Sequence, residues 1–66
     1  MKKLKELRNK HKYSCADMAK QMNVTRPFYW QLENGKRRLT YERAVEIAKI
    51  FKMKPDDIFY EEFTKK

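Results

Sequence analysis

The chain has 66 residues, 17 Lys and Arg against 9 Asp and Glu, a formal net charge of +8 and 41% apolar residues. These residues suffice for one modest core and exclude a second domain, a large substrate cavity and a multi-part cofactor site within them. A single glycine excludes the Gly-rich phosphate loops of the Rossmann and Walker kinds, and a single cysteine excludes an intrachain disulfide and a Cys-based zinc cage.

In chain order, Leu4 and Leu7 with lysines between them predict an amphipathic helix from Lys2 to about Asn9 or His11. Lys10, His11 and Lys12 crowd its end, where cations suit the negative pole of the helix dipole. Tyr13 follows as a buried linker residue. Ser14-Cys15-Ala16-Asp17 is a capping-box pattern opening a second helix through Met22. Met18, Ala19 and Met22 share its apolar face, and Asn23, tolerant of left-handed backbone, ends it. Thr25 is an N-cap and Pro27 stands in the first turn of a third helix, which stops at Asn34-Gly35 after Glu33. Lys36, Arg37 and Arg38 form a basic loop. Thr40 caps a fourth helix, in which Ala44, Ile47, Ala48 and Phe51 recur at helical spacing, widened by Val45 and Ile50. Lys54-Pro55-Asp56-Asp57 opens a short fifth helix with Ile58 and Phe59 as its apolar residues. Residues 60–66 are expected to be a frayed tail or to serve a contact. With no strand pattern or repeat, the expectation is one all-α domain over residues 1–66, a five-helix bundle.

Charge is distributed unevenly. Residues 1–38 hold seven Lys and four Arg against Glu6, Asp17 and Glu33, whereas residues 39–66 hold six basic and six acidic residues. The whole surplus therefore lies in the first 38 residues. Such a field attracts a polyanion, nucleic acid being the commonest in a cell, although a solvated face is the plainer reading. The opening MKKLKELRNK has no apolar stretch behind it, so no secretory signal is expected. No apolar run approaches the roughly 20 residues of a membrane span, and the cysteine usage suits a reducing, cytoplasmic setting.

The second and third helices, joined by Asn23-Val24-Thr25, have the proportions of a helix-turn-helix over about 14–34, whose second helix enters the major groove of double-stranded DNA. At 100° per residue, Tyr29 and Leu32 fall on the inner face of the third helix. Arg26, Pro27, Trp30 and Gln31 fall outside, with Phe28 between. A guanidinium pairs with guanine, a primary amide with adenine, and an aromatic edge meets a thymine methyl.

The stretches LKELRNKHKYSCADMAKQMNV, VTRPFYWQLENGKRRLTYERAVEIAKIF and KPDDIF resemble the lambda-repressor-like, Cro-type helix-turn-helix (XRE) domains, over residues 4–59. The most specific feature is the E-N-G-K turn that closes VTRPFYWQLENGKR. The resemblance implies a five-helix bundle that binds operator DNA, usually as a dimer on a near-palindromic site. It implies a transcription regulator of Cro or short-repressor type, such as a phage or mobile element encodes. By resemblance, Arg26, Pro27, Phe28 and Gln31 stand where members of the family read base edges. Asn34, Lys36, Arg37 and Arg38 stand where they hold phosphates, and Ser14, Thr25 and Trp30 are placed with these backbone contacts. Arg8 and Glu33 match an ion pair locking the first helix to the end of the third. The sequence departs from the pattern at Cys15, where the family has Gln, at Asn23, where it has the turn glycine, and at Trp30, where it has a small or polar residue.

Plainer readings stand beside these. Phe28 and Trp30 are large rings that also suit core or partner packing. Ile58, Phe59, Tyr60 and Phe63 offer a dimer surface or merely cap the core. His11 and Cys15 are too few for a metal site, Cys15 has no fixed base, and the Asp56-Asp57 and Glu61-Glu62 pairs have no cavity to work in. No catalytic constellation is present in the spacing, so neither enzymatic activity nor a cofactor or metal is expected. The alternative function is a protein-interaction module, an antitoxin or antirepressor, holding a protein partner through Phe28-Tyr29-Trp30 and Phe63.

Overall fold

A computed structural model describes residues 1–64. Five helices follow in order: α1 (Lys2–Lys10), α2 (Cys15–Met22), α3 (Arg26–Glu33), α4 (Tyr41–Ile50) and α5 (Pro55–Thr64). The described residues contain no strand. No helix among them is long and apolar enough to cross a membrane.

The helix ends follow from local chemistry. The Ser14 hydroxyl accepts from the Asp17 amide at 3.0 Å and the Asp17 carboxylate accepts from the Ser14 amide at 2.8 Å, the reciprocal capping box. Thr25 and Thr40 cap α3 and α4 by accepting from the amides of Phe28 and Arg43. Asn23 adopts φ 57°, ψ 44° and so stops α2 in the left-handed region expected of it. Lys12 and Lys52 adopt φ 59° and 56° to end α1 and α4, where the sequence carries no Gly or Asn to announce a left-handed stop. A lysine there has the Cβ crowding that glycine avoids, a cost of about 1–2 kcal/mol.

The core comprises Leu4 of α1, Met18, Ala19 and Met22 of α2, Tyr29 and Leu32 of α3, Ala44, Ile47 and Ala48 of α4, Phe51, and Ile58 and Phe59 of α5. The residues assigned inward from helical spacing on α2 and α3 are in this set, as are Ala44, Ile47, Ala48 and Phe51 of the α4 stripe, whereas Val45 and Ile50, expected to widen that stripe, are only half-buried. The packing pairs α2 with α3 and α4 with α5, and joins the halves through α1 on α5 and α2 on α4. Tyr13 is half-buried rather than buried, stacked 5.8 Å from His11, whose ring meets Phe51 edge-on at 5.0 Å.

In the C-terminal region the structure decides between two pairs of alternatives, a frayed tail or a contact and a dimer surface or a core cap. Residues 60–64 are not a frayed tail but the second half of α5. Phe63 packs edge-on to Phe59 at 6.4 Å and tilts against Tyr41 of α4 at 6.0 Å, which holds the last turn. Lys65 and Lys66, also assigned to that tail, lie outside the described residues. Ile58 and Phe59 are 6% and 0% exposed, so they belong to the core and are not available to a second copy. Of the four residues offered for a dimer surface, Tyr60 and Phe63 remain open, at 61% and 42%.

Candidate nucleic-acid interface

α3 is oriented by two anchors. Tyr29 and Leu32 are fully buried one turn apart, which turns the opposite face of the helix outward. On that face Arg26, Pro27 and Trp30 are exposed and Gln31 is half-buried. These four side chains line a shallow depression of about 300 Å³. Trp30 is 49% exposed, so the ring is not core.

Phe28 sits at the edge of this face, half-buried against the core. Two cations cover its ring. The Arg37 guanidinium carbon is 4.7 Å from the ring centroid and that of Arg43, from α4, is 5.3 Å away. Arg37 also donates from Nε to Gln31 Oε1 at 3.1 Å. Phe28 is therefore a built-in element of the surface rather than a freely projecting ring. Arg43 had no signal in the sequence, because its approach to Phe28 depends on how α4 packs.

The turn after α3 presents the basic loop. The Asn34 side chain donates to the Trp30 carbonyl at 2.9 Å. The Lys36 amide donates to the Gln31 carbonyl at 2.8 Å. Gly35 turns the chain with φ +70°, and a Cβ there would meet nothing within 4 Å, so backbone conformation rather than space asks for glycine. Asn34, Lys36, Arg37 and Arg38 are all exposed beside the end of α3. Ser14 and Thr25 are exposed at the starts of α2 and α3, where their hydroxyls serve as caps. The amide and hydroxyl of Ser14 hold the Asp17 carboxyl below its ordinary value, with Lys20 adding to the effect.

Behind the face lies a polar knot. Arg8 Nε donates to Glu33 Oε1 at 2.9 Å, with the carboxylate side chain only 2% exposed and the guanidinium 12%. The same guanidinium donates to the Tyr13 carbonyl at 2.9 Å. The Cys15 thiol donates to the other oxygen of Glu33 at 3.6 Å. Burial pushes this thiol above its ordinary value, Glu33 adding to the rise and Arg8 opposing it. The Tyr29 hydroxyl is buried with no hydrogen-bond partner among the described residues. Its titration is pushed up, first by burial and then by Glu33. The Arg8–Glu33 pair is the one expected by resemblance. Spacing gave no indication of the Cys15 contact or of the orphaned phenol.

Among the described residues no group of His, Cys, Asp and Glu could hold a metal ion. A family model described as helix-turn-helix matches residues 4–58, nearly the whole bundle. A comparison with curated proteins finds no match, and neither does one with solved structures. The family model runs from α1 through α4 into the first turn of α5, and α2 and α3 form its characteristic pair with α3 turned outward, so the chain belongs to the lambda-repressor-like (XRE) helix-turn-helix family, a family of DNA-binding regulators.

Proposed function

We propose that the protein is a sequence-specific regulator of transcription, of Cro or short-repressor type, that inserts α3 into the major groove of double-stranded operator DNA. In this reading Arg26, Pro27, Phe28 and Gln31 face base edges. Ser14, Thr25, Trp30, Asn34, Lys36, Arg37 and Arg38 face the sugar–phosphate backbone. One observation supports it above the rest: the outward face of α3 and the exposed basic loop after it are contiguous, while Tyr29 and Leu32 are fully buried. Lys and Arg on this side release counterions and supply sequence-independent affinity, and the base-facing side chains supply discrimination.

A single α3 reads only a few base pairs, which favours binding as a homodimer on a near-palindromic site with half-sites about one helical turn apart. Exposed Tyr60 and Phe63 are the residues of the C-terminal helix that favour a second copy there. A cytoplasmic switch of a phage or mobile element is the setting this type of regulator implies.

Selection of bound duplexes from a random pool, at moderate salt, tests the proposal. Enrichment of a short motif repeated at that spacing is the expected result. Trp30, the single tryptophan, gives an independent signal, since its emission changes if α3 enters a groove. No enriched motif and unchanged emission with DNA, alongside a change on adding a protein fraction, would favour the partner-binding reading in which exposed aromatics hold an antitoxin-like or antirepressor-like complex.

A further inference from the structure

We infer that Arg37 is a positioning residue for base recognition: it locks the Gln31 side-chain amide with its donors outward, so that this residue selects hydrogen-bond acceptors on the base edge and rejects cytosine. The inference rests on the DNA-reading role of α3 proposed above. Gln31 and Phe28 lie three residues apart on α3, and Arg37 touches both. Its Nε donates to Gln31 Oε1 at 3.1 Å and its guanidinium carbon lies 4.7 Å from the Phe28 ring centroid. The contact with the Phe28 ring holds the guanidinium over α3, and its Nε–H then holds the amide. The left-handed Gly35 and the bond from the Lys36 amide to the Gln31 carbonyl bring the loop back over the helix, so the clamp is part of the C-terminal turn of α3.

The chemistry allows only one amide orientation. A guanidinium carries donors and no acceptor. A flipped Gln31 would set its NH₂ against the Arg37 N–H, donor against donor. With Oε1 engaged, the two N–H donors of Gln31 have no protein partner among the described residues. Donors facing the major groove suit guanine N7 and O6, adenine N7 or thymine O4. They oppose the exocyclic amine of cytosine, itself a donor. A free glutamine amide can rotate to serve either kind of edge, whereas one held by Arg37 keeps its oxygen turned toward that guanidinium and leaves its NH₂ as the free group. Lysine keeps the charge of Arg37 but lacks the planar fork that stacks and donates at once.

Three proteins decide the matter: wild type, Gln31→Ala and Arg37→Lys, each assayed for affinity on duplexes varied at every base pair of the selected site and for salt dependence. The base pair whose preference collapses in Gln31→Ala is the one that Gln31 reads. At that pair wild type favours guanine, adenine or thymine on the contacted strand over cytosine. Arg37→Lys lowers this preference on the order of five- to tenfold while the salt slope stays the same. In the free protein, the side-chain amide resonances of Gln31 shift in Arg37→Lys. A uniform loss of affinity in Arg37→Lys, with base preference intact, would make Arg37 a phosphate contact alone and overturn the inference. So would a wild-type preference for cytosine at the Gln31 position, or unshifted amide resonances. If Gln31→Ala alters no base preference anywhere, the base-reading role given to Gln31 above fails, an outcome distinct from failure of the clamp.

Discussion

The two halves of this small bundle are held together by different chemistry. Residues 1–38 carry the net charge and all the side-chain hydrogen bonds that span more than four residues among those described: Arg8 to Glu33, Arg8 to the Tyr13 carbonyl, Cys15 to Glu33 and Arg37 to Gln31. In residues 39–64 the side-chain bonds are local, such as Arg43 to Glu46 and Thr64 to Tyr60, and the tertiary ties are apolar contacts of Ile47, Phe51, Ile58 and Phe59. Apolar burial is non-directional, whereas ion pairs and hydrogen bonds fix orientation. The half that must present particular side chains at particular angles is the one that carries the directional bonds.

The largest effects come from breaking each half by its own chemistry. Glu33→Ala strands the Arg8 guanidinium, which is 12% exposed, and is expected to cost about 3–5 kcal/mol in urea unfolding. Phe59→Ala opens a cavity in the other half for a similar loss of about 3–5 kcal/mol. The two separate in the rescue: replacing Arg8 and Glu33 together by Met and Leu restores most of the stability, because an apolar pair of similar volume needs no partner. No recovery in that double variant would mean that the knot contributes net stability as well as orientation.

Next in size is Arg26→Ala, on the exposed face of α3. It is expected to leave folding unchanged and to cost about 1–3 kcal/mol on the preferred duplex, relaxing one base position. Lys36→Ala, in the loop, should weaken all duplexes alike and lower the salt slope by about one. Equal slopes for both variants and wild type would erase the division between reading and holding residues.

Tyr29→Phe removes a buried hydroxyl that has no hydrogen-bond partner among the described residues, and is expected to raise stability by about 1 kcal/mol. It also alters the alkaline behaviour. Because the folded-state titration of Tyr29 is pushed up, the wild type keeps its full stability below the ordinary tyrosine value of about 10 and loses it as pH rises beyond that value. Thermal melts between pH 8 and pH 11 should therefore slope less steeply in Tyr29→Phe. Smallest is Glu46→Ala. Its pair with Arg43 is half-exposed, with side chains 43% and 34% accessible, and the expected change is below about 0.5 kcal/mol.

Much of this was legible in the chain. Ser14 and Asp17, Thr25 and Thr40, and Asn34-Gly35 place the helix ends through bonds among residues four or fewer apart, and such bonds can be read from spacing. The inward set on α2, α3 and α4 follows from a period of 3.6 residues. The end of α1 near Lys10 follows from its periodicity, but the left-handed backbone of Lys12 and Lys52 does not, since lysine has no local preference for that conformation. The second half of α5 was missed because Tyr60 and Phe63 look like an exposed aromatic tail until Tyr41 and Phe59 are seen to flank Phe63. Pairing of Arg8 with Glu33 came from resemblance rather than from physics.

What the sequence determines by itself is therefore the set of helices, their caps, the uneven charge and the outward face of α3, all properties of neighbours along the chain. What only the tertiary structure decided is how that face is furnished: Phe28 covered by two guanidiniums, Gln31 turned by Arg37, Glu33 shared between Arg8 and Cys15, and Phe59 withdrawn from any partner. Each of these joins residues from different turns or helices. Their distances are set by the packing of the whole bundle, which no local periodicity encodes.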